Sequence, residues 1–325
     1  MDKVGYLRVQ LENIAGLIAC EAARVRDVLT CLAFHSRDLM EITPRDDQAV
    51  ERWLADQGFA VGADGFFLSL PELEAYRAGR GNDEAVSYSW PPERMGDSEA
   101  RRRMYCHRNM GPVLKTLHGR FKGVAWIYYQ DATNTALQYP YIDQITAITP
   151  DFQWSEYHTW HSVTPEANPE RIVRWTLPSI DYAGQGLIVS ASAPVYLGDR
   201  FAGLWSMDVP VDRLVRPEAL ARTMDTQLTA VVDSQGILIS SNRNEFPAGP
   251  SVGQDKGEMA LVHWSDVHPA FAGLSQPRMF LQGAGRMDVS DGRDCLLLWD
   301  TVPGVDWLCV TVVDRCDLVE ILGRG

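Results

Sequence analysis

Two aspartates stand where a carboxylate is expensive to keep. The segment "WTLPSIDYAGQGLIVSASAPVYLGDRFAGLWSMDVPVDRL" (175–214) reads as two apolar strands around a Gly198-Asp199 turn, yet it holds Asp181 at one mouth and Asp208 inside the second strand. Strand side chains alternate, so Phe201, Gly203, Trp205, Met207 and Val209 share one face, and Ala202, Leu204, Ser206 and Asp208 the other. Ser190 and Ser192 give the neighbouring strand the same small, polar face. A buried, unpaired charge is costly, so Asp208 requires water, hydrogen-bond donors or a cation. A structural network and a ligand site are the two readings.

Two anions beside an aromatic wall are the chemistry that selects an ammonium or quaternary amine over a neutral solute. Trp160, Tyr128 and Tyr129 are the candidates for that wall; by alternation the two tyrosines cannot both face one pocket, and sheet core is their plainer role. His158 and His161, near the same carboxylates, offer the alternative of a metal- or carboxylate-binding pocket. Isolated histidines in a loop more often serve structural hydrogen bonds, so no metal ligand is assigned, and no cofactor is expected.

Other chemistries find no support. There is no nucleophile elbow, P-loop, HExxH or dinucleotide fingerprint, and "GAG" at 283–285 enters a strand rather than opening a helix. The expectation is a binding protein and not an enzyme. With 43 acidic residues against 30 basic ones, net −13, a nucleic-acid or anionic-membrane surface is disfavoured. No apolar stretch approaches the ~20 residues of a membrane span. Six cysteines form no CxxC pair, and Cys20 and Cys31, roughly 16 Å apart along one helix, cannot bridge each other. The chain reads as soluble: cytoplasmic if complete, periplasmic or extracellular if it is the excised sensor of a receptor.

These residues need elements to position them. Val4, Leu7, Leu11, Ile14, Ile18, Val25, Leu29 and Leu32 recur at helical spacing, which predicts one long amphipathic helix able to brace two modules or pair with a second copy. "FAVGADGFFLSL" predicts a hairpin, 99–117 a helix, 123–131 a strand, and 133–174 an irregular, aromatic-rich insertion of the kind that carries function. Past residue 226 come a strand pair, a helical and loop stretch over 245–276, and three strands turning at Asp291-Gly292 and Pro303-Gly304. Both halves thus read as strand pair, helix and loop, then a strand meander. Trp205 and Trp307 each stand seven residues before an Asp-Arg pair, which suggests an internal duplication. In that alignment Asp208 corresponds to Val310.

The long helix followed by two such sheets, with "WIYYQD", "PSIDYAGQGLIVSASAPVY" and "GDRFAGLWSMDVPVDRL" in the first and "AVVDSQGILISSN" and "VPGVDWLCVTVVDR" in the second, resembles a double Cache sensor domain. The resemblance covers nearly the whole chain. It implies an α+β fold in which a long N-terminal helix packs on two PAS-like antiparallel-sheet modules, with boundaries at 1–45, 46–220 and 221–325. It also implies small-molecule sensing in the first module, feeding signal transduction. In amino-acid-binding members an Arg-x-Trp-Tyr stretch holds the ligand carboxylate, while a Tyr-x-Asp and a later strand Asp hold the ammonium. Here these match His158-Thr159-Trp160-His161, Ser179-Ile180-Asp181 and Asp208. The ammonium side survives and the guanidinium fork does not. The expected ligand is an amine, quaternary ammonium or amino-acid-like metabolite, bound through Asp208, Asp181, Trp160, His158, His161, Tyr128, Tyr129, Ser190 and Ser206. A homodimer through the long helix is the expected partner, and a non-binding scaffold is the remaining alternative.

Overall fold

A computed structural model describes residues 2–181, 184–243, 262–272, 277–290 and 294–319. The expected turn at Asp291-Gly292 and most of the 245–276 stretch lie outside these. Along the chain run α1 (Lys3–Ile42), α2 (Asp47–Asp56), β1 (Phe59–Val61), β2 (Phe67–Ser69), α3 (Leu70–Arg77), β3 (Ser87–Ser89), α4 (Ser98–Cys106), α5 (Gly111–Arg120), β4 (Trp126–Asp131) and β5 (Ala136–Tyr139). Two short helices, α6 (Gln144–Ala147) and α7 (His158–His161), precede β6 (Arg174–Trp175), β7 (Ser179–Ile180), β8 (Leu187–Leu197) and β9 (Arg200–Pro210). Then come β10 (Leu228–Asp233), β11 (Leu238–Ser241), β12 (Gly285–Ser290), β13 (Asp294–Val302) and β14 (Trp307–Asp314). The fold is α+β, a long N-terminal helix with two large antiparallel sheets, as the resemblance implied, and a separate β1–β2 hairpin.

The chain divides into two compact units, one of Val25–Thr176 with Val189–Val209, the other of Met1–Arg24, Leu177–Ile188 and Pro210–Gly325. Helix α1 contributes to both. Its apolar stripe is buried as the spacing predicts, from Leu7, Leu11, Ile14 and Ile18 to Val25, Leu29 and Leu32.

The larger sheet has the order β3-β5-β4-β9-β8-β6, with β7 paired to β8. The insertion over 133–174 is less irregular than expected, because it contains β5, α6 and α7. Its first residues return along β4, with Gln130 opposite Ala136 and Ile127 opposite Tyr139. Short polar side chains such as Gln138 and Ser89 hide this edge from a hydrophobicity pattern.

One face of that sheet meets helices of its own unit. Trp205 Nε1 donates to Ser36 Oγ of α1 (2.6 Å), and Ser36 Oγ lies 2.8 Å from His107 Nε2. His107 Nδ1 lies 2.7 Å from the Arg103 carbonyl, which only accepts, so Nδ1 carries the proton and Nε2 accepts from Ser36. Burial lowers the His107 pKa to about 4, which keeps it neutral and the relay intact. Beside it Arg103 pairs with Asp131 at 3.0 Å, both nearly without solvent contact, and Tyr129 Oη donates to the same carboxylate (2.6 Å).

The smaller sheet, β11-β10-β14-β13-β12, repeats the order β5-β4-β9-β8-β6. Turn aspartates end the matching strands: Asp131 accepts from Thr133 N–H and Asp233 from Gln235 N–H. Asp131 is opposite Gly203, whereas Asp233 is opposite Trp307. Aligned on these pairs, Asp208 corresponds to Val312 rather than Val310, a correction of two residues that preserves the face. There Leu228, Val232, Val310 and Val312 form a hydrocarbon core with Trp264 stacked on Phe271 at 5.0 Å.

Removing one member of a buried ion pair leaves the other uncompensated. Arg103→Ala is therefore expected to lower unfolding stability by about 3–5 kcal/mol, read from urea denaturation. Acid lability has a separate source. An unfolded His107 binds a proton near its ordinary 6.5 and the folded one only near 4, so stability is full above pH 6.5 and falls as pH drops through that window. Melting temperatures between pH 7 and pH 4 are expected to decline more steeply in the parent than in His107→Gln.

Candidate functional site

The opposite face of the larger sheet is polar and buried. Strand β4 places Trp126, Tyr128 and Gln130 on it, and β9 places Ser206 opposite Tyr128 and Asp208 opposite Trp126. Asp208 Oδ1 accepts from Ser190 Oγ at 2.6 Å and from Tyr128 Oη at 2.9 Å. Ser192 and Ser206 hydroxyls lie 2.6 Å apart, and Ser206 also hydrogen-bonds the Tyr128 phenol. Since Tyr128 spends its proton on Asp208, Ser206 donates to Tyr128 and Ser192 to Ser206. The donors run in one direction and end on the carboxylate. Burial, then the Asp208 charge, holds the Tyr128 pKa well above its ordinary value, so the phenol stays a donor.

Thr159 of α7 lies over this face and its hydroxyl donates to Gln130 Oε1 at 3.3 Å, both side chains being fully buried. The residue before α7, Tyr157, acts electrostatically on Tyr128 and packs its ring 4.1 Å from that of His158. His158 is held near pKa 4, by burial first and His161 second, and is neutral at pH 7. Gln130 Nε2 and His158 Nε2 are buried without a hydrogen-bond partner in the protein. Buried polar atoms are normally satisfied, so Gln130 Nε2 keeps unused hydrogen-bonding capacity on this face and His158 Nε2 on α7.

Of the residues singled out from sequence, Asp208, Tyr128, Ser190 and Ser206 form one hydrogen-bonded group, with His158 on the neighbouring α7. Tyr129 belongs to the other face, where it stacks on His107 at 4.4 Å and packs on Trp205 at 5.4 Å. The alternation that admitted only one of the two tyrosines selects Tyr128. Trp160 packs edge-on against Phe201, centroids 5.0 Å apart, and His161 is exposed. Asp181 lies between β7 and β8, in the other unit, where Oδ2 accepts from Gln185 N–H (2.8 Å) and its N–H donates to the Gly186 carbonyl (2.8 Å). These bonds give it a turn-forming role. Among the described residues no three or more His, Cys, Asp or Glu are grouped to hold a metal ion. Sequence reasoning missed Gln130 and Thr159, although Gln130 is two residues beyond Tyr128 and therefore on its face.

Solved structures of similar fold include the ligand-binding domain of the amino-acid chemoreceptor PctB from Pseudomonas aeruginosa PAO1 in complex with L-Arg, 14% identical, covering 98% of this chain and 98% of that one, TM-score 0.48. The ligand-binding domain of Mlp24 with asparagine is 16% identical over 93% of this chain and 97% of its own, TM-score 0.41. That of PctC from P. aeruginosa PAO1 with GABA is 15% identical over 63% and 80%, TM-score 0.44. Those of PctB and Mlp24 are double Cache domains. No family model and no characterised protein matches the sequence.

If Tyr128 and Ser190 hold the carboxylate, Tyr128→Phe deletes one of its donors and leaves Ser206 without its acceptor. The variant is expected to lose about 1–3 kcal/mol of stability in chemical denaturation, more than a Tyr→Phe change at the surface.

Proposed function

We propose that this chain is a small-molecule-binding sensor domain and that its larger sheet binds a metabolite bearing an amine, a quaternary ammonium or an amino-acid-like group. The observation that carries the reading is the Asp208 carboxylate, buried in a central strand and oriented by hydroxyl donors from Tyr128 and Ser190. Those donors are uncharged. They fix the carboxylate's direction, and an ammonium is the group complementary to a carboxylate so oriented. Gln130 Nε2 offers N–H donors to an oxygen of the same ligand, and neutral His158 one more hydrogen bond. Without a guanidinium in that role, a ligand carboxylate is held by hydrogen bonds alone, and amines without a carboxylate compete on nearly equal terms.

The reading is of a binding module rather than an enzyme. The corresponding positions of the smaller sheet are hydrocarbon, which suits a structural or transmitting role. No helix among the described residues is long and apolar enough to cross a membrane. Pairing of two copies through α1 belongs to the same proposal, supported by the exposed Tyr6, Val9 and Leu17 on that helix.

A thermal-shift screen of amines, quaternary ammonium compounds, amino acids and carboxylates is the test. An amine-bearing compound is expected to raise the melting temperature of the parent by several degrees and to have no effect on Asp208→Ala. Equal shifts in both proteins, or stabilisation by carboxylates alone, overturns the assignment.

A further inference from the structure

Away from Asp208, and within the same compact unit, a cleft of about 710 Å³ opens between the C-terminal half of α1 and the 171–173 segment with the end of β8. Its size is ordinary for a small-molecule site. Arg26, Phe34, Arg37 and Glu41 line it from α1, and Arg171 and Tyr196 from the far wall. Three guanidiniums and one carboxylate line it, in a chain whose net charge is −13.

The wall is built rather than accidental. Arg171 has a left-handed backbone, φ 56°, which a non-glycine residue adopts only when its surroundings hold it there. The holding group is Asn168, fully buried, whose side chain accepts from Ile172 N–H (3.3 Å) and donates to Ile172 O (2.7 Å). The clamp sets the Arg171 guanidinium over the Tyr196 ring, 4.1 Å from its centroid, while Arg37 lies 5.0 Å from that of Phe34. Each arginine also pairs with an exposed aspartate, Asp27, Asp38 or Asp199, and such surface pairs are weak enough to yield to a ligand. Phe34 is 54% exposed, a large ring in contact with water at the mouth of the arginine-lined cleft.

We propose that this cleft is a second ligand site, taking a small carboxylate on an aromatic body. The carboxylate pairs with the guanidinium forks and the ring lies against Phe34 and Tyr196. The site is independent of Asp208 and of the reading given for it.

Calorimetry on the full chain with benzoate and phenylacetate, against benzamide and acetate, tests the proposal. The aromatic carboxylates are expected to bind, with benzamide and acetate each about tenfold weaker or undetected. An Arg37→Gln/Arg171→Gln variant, altered only at exposed side chains, is expected to weaken benzoate by about tenfold or more with an unchanged melting temperature, and Asp208→Ala to leave it unaffected. Phe34→Ala should bring benzoate down to the level of acetate. No binding at millimolar benzoate, equal binding of benzamide, or affinity retained in the arginine variant overturns the proposal. So does affinity lost in Asp208→Ala, which would place the anion at the other site.

Discussion

Strand β9 is buried on both faces, and the rest of the larger unit depends on how it resolves that constraint. On one side Trp205 reaches Ser36 of α1 with its indole N–H, and a neutral histidine and a backbone carbonyl complete the chain. Three residues further, on the other side, Asp208 takes donors from β4 and β8. A central strand is usually safe because hydrocarbon covers it. This one is instead satisfied by directed hydrogen bonds above and below, which demand a single register and a single placement of α1, because a buried polar network that is only partly satisfied costs more than none.

The two sheets show what such an arrangement displaces. They share strand order and turn aspartates, so position can be compared with position. Where the smaller sheet has Ala230, Val232, Val310 and Val312, the larger has Tyr128, Gln130, Ser206 and Asp208. The smaller sheet closes its face with Trp264 and Phe271. Both faces keep a buried nitrogen that no protein group answers, Trp264 Nε1 in the smaller unit and Gln130 Nε2 in the larger, but only the larger also carries a carboxylate and hydroxyls. One scaffold thus appears in a form optimised for packing and in a form that gives up packing for polar chemistry.

Much of this was legible in the sequence, for identifiable reasons. The period of α1 and the alternation along β9 exposed the long helix, the placement of Trp205 on the face opposite Asp208 and the polar face around Asp208. Alternation also showed that only one of Tyr128 and Tyr129 could lie on that face, and strand pairing names it as Tyr128. What escaped is non-local. Strand β5 is only four residues long, so its pairing with β4 is invisible until the chain folds back. The turn hydrogen bonds of Asp181 are likewise unreadable beforehand, because a turn-forming aspartate and a ligand-binding one have the same one-letter signature. Ser36, Asn168 and Thr159 gain meaning only from the partners that folding delivers, since a hydroxyl or amide on its own carries no directional signal.

The offset between the two halves has a consequence of its own. Trp205 and Trp307 agree in their spacing to the following Asp-Arg, yet in the ladders Trp307 matches Gly203. A slip of one residue would have turned the whole hydrocarbon set of β14 towards the wrong side, whereas a slip of two leaves each side chain on its face. Divergence of a duplicated sheet is therefore governed by parity: copies can drift apart in even steps while both stay folded, and counting along the sequence between landmarks will misname equivalent residues without ever misnaming their face.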